Sequence, residues 1–202
     1  MQKLRLPLLL LPLLSMAGCF VISLHPAYQD SDIIEHKSLQ GSWKVENKEV
    51  WTFTAEADGK LYHLATTDLD EKHGYFTATP FKLENHIFIA LRPDRDADEM
   101  ASSNVFYQIH NIPAHSFIQL VESETGITLR LPSYDWLDDY LEEHPEELKH
   151  ERMDGGFVVV TATTDEQQAF WLKHMNTLDA FYESPMQRAT SPTNTNNDSV
   201  DQ

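Results

Sequence analysis

The chain is poor in the residues that most often carry chemistry. It has one cysteine in 202 residues, so it can form no internal disulfide. It has seven glycines, and only Gly155-Gly156 are adjacent. That leaves no glycine-rich loop to cradle a phosphate or dinucleotide, and no cofactor is expected. The nucleophile elbow Gly-x-Ser-x-Gly and the zinc-protease His-Glu-x-x-His are both missing, so no catalytic residue is assigned. Basic charge is scarce too. Fifteen Lys and Arg face 32 Asp and Glu, a net charge of −17 that repels nucleic acid. The one long apolar run, Leu6 to Ala17, falls well short of the ~20 residues that a membrane-spanning helix requires.

What is present begins at the N-terminus. Lys3 and Arg5 precede the Leu-rich run, and Ser15-Met16-Ala17-Gly18-Cys19 closes it with small residues. Two cations, a short apolar stretch and a small-residue cleavage point are the three parts of a secretory signal. Met16-Ala17-Gly18-Cys19 resembles the lipobox of bacterial lipoproteins, with Met16 where Leu is usual. The resemblance implies that cleavage precedes Cys19, that its thiol receives a diacylglycerol, and that its new amine takes a further palmitate-type chain. Two or more acyl chains anchor a protein stably, each buried CH₂ contributing about 0.8 kcal/mol. The expected address is therefore export and lipid anchoring to a bacterial membrane. By resemblance to enterobacterial sorting, Phe20 after the cysteine favours the outer membrane, facing the periplasm, in a cell with two membranes. Loss of Lys3 and Arg5 with the signal takes the net charge from −17 to −19.

Composition then divides the chain. Residues 1–18 are the signal, 19–37 a lipidated N-terminus and tether, and 38–183 a β-rich globular domain. Residues 184–202, rich in Ser, Thr, Asn and Pro, are expected to be a disordered tail. No internal repeat is present.

Within the domain, short alternating runs separated by turn residues predict strands at 50–54, 60–64, 74–78, 86–91, 105–109, 116–121, 127–131 and 157–161. Asp58-Gly59 and Glu124-Thr125-Gly126 mark tight hairpins. Two helical patterns come late, at about 135–152 and 165–182. Asp135 and the capping-box pattern from Thr164 mark their starts, and Pro145 breaks or restarts the first. Phe170, Trp171, Met175, Leu178 and Phe181 form the apolar stripe of the second. The fold class is mainly β with late helices (β+α): an antiparallel meander forming a barrel or strongly curved sheet.

Leu39-Gln40-Gly41-Ser42-Trp43 opens this domain. The Gly-x-Trp opening, the meander and the late helix resemble the lipocalin/calycin group. That resemblance implies an eight-stranded barrel closed at one end by Trp43 and a cup for a small hydrophobic ligand or lipid. Trp43, Phe53, Tyr62, Tyr75 and Phe88 are the candidate lining residues. The wider pattern, including Ile112-Pro113-Ala114-His115-Ser116-Phe117 and Tyr134-Asp135-Trp136-Leu137, also resembles a family of uncharacterised bacterial lipoproteins, which implies no activity. Eight-stranded barrels are often filled by their own side chains. An envelope structural or protein-interaction lipoprotein without a small-molecule ligand is therefore the alternative reading. Among the ten histidines, His110 and His115 are the nearest to a metal-binding pair, but a zinc site needs three or four converging ligands.

Overall fold

The computed structural model describes residues 20–45, 49–95, 111–124 and 126–189. Eight strands close into an antiparallel barrel: β2 (Gly41–Val45), β3 (Val50–Ala55), β4 (Tyr62–Thr67), β5 (His73–Leu83), β6 (His86–Pro93), β7 (Ser116–Ser123), β8 (Gly126–Pro132) and β11 (Phe181–Arg188). Each pairs with its neighbour in chain order, and β11 pairs with both β8 and β2 to complete the circuit. Followed from strand to strand, the register climbs by about twelve residues per circuit. Stagger and strand number together set a barrel's diameter and tilt.

Side chains alternate across the wall. One set faces inward and forms a core that includes Trp43, Trp51, Phe53, Tyr62, Leu64, Ile89, Ile118, Leu129 and Met186. The other set is apolar only on one flank. There Phe81, Phe88 and Phe117 face outward and meet a second layer of helices and loops. This layer contains α1 (Tyr134–Glu143), α2 (Thr164–His174) and a three-stranded sheet of β1 (Ile22–Ser23), β10 (Val158–Val160) and β9 (His150–Arg152). The molecule thus has two cores back to back, sharing β5 to β7 as the partition.

Both predicted hairpins are present. Gly59 takes a left-handed backbone (φ +66°) in the β3–β4 turn, where a side chain would meet Glu35 at 2.8 Å. Ser123 pairs with Gly126 across the β7–β8 turn, of which Thr125 lies outside the described residues.

Four boundaries differ from expectation. The first helix ends at Glu143, and residues 150–152 are a strand rather than its continuation. Ser133 caps it, accepting from Trp136 N at 3.3 Å, so the start lies ahead of Asp135. The second helix ends at His174 because the chain must turn to enter β11. Leu178, expected on its apolar face, is 83 % exposed in that turn. Residues 157–161 form a strand outside the barrel, whose eighth strand is instead Phe181–Arg188, across the expected domain boundary at 183. Pro185 masked that strand. Among the described residues its partner is Thr128 of β8. Finally, the expected tether folds: Val21, Ser23, Ala27 and His36 are all buried. The expected strand at 105–109 lies outside the described residues.

Candidate functional site

The barrel interior is graded from one end to the other. At the end holding the β3–β4, β5–β6 and β7–β8 turns, the segment before β2 folds across the opening. A 3-10 turn at Lys37–Leu39 places Leu39 in the core with no exposed surface. Trp43 Nε1 donates to Leu39 O at 2.7 Å, and Tyr62 OH donates to His36 O at 2.9 Å. Burial, with Glu35 nearby, raises the Tyr62 pKa. Arg188 locks the closure from β11. Its guanidinium lies 4.5 Å from the Trp43 ring and donates to Gln40 O (3.0 Å) and Ser38 O (2.8 Å). Above this plug, Phe53, Tyr62, Leu64, Ala78, Ile89, Ile118 and Leu129 are fully buried and leave the middle of the barrel solid.

The opposite end differs in composition. Continuing the inward positions along each strand, Val45, Phe76, Leu91 and Leu131 form an apolar tier, with Val45 and Phe76 half-buried. The next inward positions are mixed: Thr66, Gly74, Ser116 and Ser184 are small or polar and half-buried, while Pro93, paired with Phe76, and Tyr182, paired with Leu131, share the rim. An apolar floor under a rim of mixed small, polar and ring-bearing residues is the composition of a shallow cup. The β6–β7 connection leaves and returns at this end, and its residues 96–110 lie outside the described residues.

The expected lining residues divide by strand parity. Trp43, Phe53 and Tyr62 face inward, in the plug and the solid middle.

 Phe53 itself meets Tyr62 edge to face, with ring centroids 6.3 Å apart. Tyr75 and Phe88 do not line the interior. Tyr75 points out of β5 and is 42 % exposed, while its neighbour Phe76 takes the inward position. Phe88 is buried on the outer face, stacked on Phe81 at 5.1 Å, because β6 is covered by core on both sides. A one-residue step reverses the face, and a strand apolar on both faces gives no parity signal to choose by. Thr66, Ser116 and Ser184 were missed because small polar residues in strands look like solvent positions.

His110 lies outside the described residues, as does Cys19. His115 is half-buried on the outer flank, where its backbone exchanges 2.8 Å hydrogen bonds with Ser23. Burial, then Arg92 and His25, lowers its pKa. It borders an outer pocket of about 170 Å³ with Tyr28, Thr77, Thr79, Ala90 and Arg92. Among the described residues, no group of three or more His, Cys, Asp or Glu is placed to hold a metal ion. A second, open pocket of about 450 Å³ lies on the N-terminal segment around Tyr28, Asp30 and Thr164. Both are outside the barrel wall.

Fold and site together define the class: an eight-stranded antiparallel barrel of lipocalin-like β+α type, plugged at one end. No protein-family model, curated protein or solved structure matches the chain. No helix among the described residues is long and apolar enough to cross a membrane.

Proposed function

We propose that the protein is a lipid-anchored, lipocalin-like binding module that takes a small apolar molecule at the barrel end opposite the Trp43 plug. The observation that carries this reading is the graded interior: a sealed end, a solid middle and an apolar tier of Val45, Phe76, Leu91 and Leu131 beneath a rim in which Thr66, Gly74, Ser116 and Ser184 sit beside Pro93 and Tyr182. A ligand seated there would lie across the rim, not deep in the lumen. The lipobox at Cys19 supplies the anchor in this reading, and Phe20 favours an outer-membrane address.

Titration of the purified full chain with the neutral apolar dye N-phenyl-1-naphthylamine tests the ligand half. The expected result is a saturable rise in emission with one dye per chain, abolished by Ser184→Phe, which fills the rim. The circular dichroism and urea midpoint of that variant should stay near wild type. Absence of saturable binding, or binding indifferent to Ser184→Phe, would overturn it. The solid middle of the barrel favours a second reading, an envelope interaction protein with no small ligand, and that outcome would support it.

A further inference from the structure

The expected tether is folded, and this changes what an anchor at Cys19 would do. Val21, two residues past the cysteine, is already buried against the outer core. Two residues of extended chain reach about 7 Å, at ~3.3–3.6 Å each. Acyl chains on Cys19 would therefore hold the domain against the bilayer rather than suspend it at a distance.

The surface that begins there is apolar. In the first segment Val21 and Ser23 are buried, so alternation turns Phe20, Ile22 and Leu24 to the other face. Phe20 and Leu24 are 43 % and 41 % exposed. In β10, Val158 and Val160 are buried, which puts the half-buried Val159 on that same outer face, and Phe157 just before the strand on the same parity with its ring stacked on Tyr134 at 5.2 Å. The register aligns them: Ile22 sits beside Val159, and Val159 beside Glu151 of β9. One step back along the strands, Phe20 is level with Phe157, and Met153 N donates to Phe157 O at 2.8 Å. Met153 is 56 % exposed. Among the described residues of this sheet, charge lies on β9 and the turn after it. Glu151 and Asp154 are exposed, Lys149 pairs with Glu166 at 2.9 Å, and Arg152 pairs with Asp138.

We infer that the outer face of the β1–β10–β9 sheet, marked by Phe20, Leu24, Phe157 and Met153, is the surface with which the domain rests on the lipid bilayer. The inference rests on the anchor reading of Cys19. The bilayer is the occupant because the acylated residue adjoins Phe20, so covalent attachment gives lipid a local concentration at this face that no free partner matches. The chain's acidity gives it no attraction to anionic headgroups, so the contact is made by apolar side chains at the acyl boundary.

Acylation consumes the only native thiol, so an introduced cysteine is the single labelling site. The full chain carrying Met153→Cys, or Leu69→Cys on the β4–β5 turn, is lipidated in the cell and labelled with the fluorophore NBD. It is then reconstituted in phosphatidylcholine vesicles with or without nitroxide-labelled lipid. The expected result is blue-shifted emission at position 153 and quenching by nitroxide lipid several-fold stronger than at position 69. Equal quenching at the two sites, in protein whose mass shows acylated Cys19, would overturn the inference while leaving the anchor intact. A blue shift at 153 without lipid quenching would overturn it too, since protein would then cover the face. A chain lacking the acyl mass would instead defeat the anchor reading itself.

Discussion

His174 is buried, with 7 % of its surface exposed, among Trp136, Tyr140 and Phe170, whose ring centroids lie 5.0, 4.8 and 4.7 Å away. Its Nδ1 faces Thr177 Oγ1 at 3.2 Å, and Nε2 has no hydrogen-bond partner in the structure. Burial lowers its pKa, Lys173 and His144 add to the effect, and Glu147 opposes it. The unfolded chain, with histidine near its ordinary 6.5, then binds the proton more tightly than the folded one. Stability is therefore full above that value and falls as the pH drops through the gap between the two states. His115 shifts in the same direction and adds to the slope. Urea midpoints measured from about pH 7.5 to 5 should fall with acid, and less steeply in His174→Phe; an unchanged slope in that variant would contradict the assignment. At the plug, Leu39→Ala should cost about 2–5 kcal/mol in the same assay, as deletion of a fully buried leucine does.

At the scale of elements, helix α2 starts where its own residues dictate. Thr163 accepts from Glu166 N at 3.4 Å, and Glu166 returns a bond from Thr163 N at 2.8 Å. Lys149 and Thr163 hold the Glu166 carboxyl down to a pKa of about 2. Thr163→Ala should cost about 0.5–2 kcal/mol of stability, read from the urea midpoint. Such local signals are why strand positions, both hairpin turns and the start of α2 were legible in the sequence. Elements whose existence depends on distant partners were not. Phe181–Arg188 has a proline and four polar or charged residues, and becomes a strand only because β8 and β2 present free edges on either side. Residues 150–152 extend only because β10 pairs with them. At the candidate site the plug was legible, since Trp43, Phe53 and Tyr62 face inward. The rim was not, because Thr66, Ser116 and Ser184 acquire their meaning from closure.

For the whole molecule, closure makes β11 indispensable. A chain ending at Glu183 loses the pairing with β2 and the Arg188 latch over Trp43, and should fail to fold by circular dichroism and proteolysis. A chain ending at Ala189 keeps both and should match the full protein. Equal folding of the two truncations would contradict the role given to the strand. The two cores share β5 to β7, so loss of the barrel should carry the outer layer with it in one cooperative transition.

In the proposed reading the thiol of Cys19 joins this barrel to a membrane. Intact mass spectrometry of the protein extracted from membranes of the expressing bacterium tests that most directly. The account predicts a chain beginning at Cys19, lacking residues 1–18 and heavier by a diacylglycerol and a further acyl chain, with Cys19→Ser abolishing the added mass. A membrane-extracted or soluble chain with residues 1–18 removed and an unmodified Cys19 would contradict it.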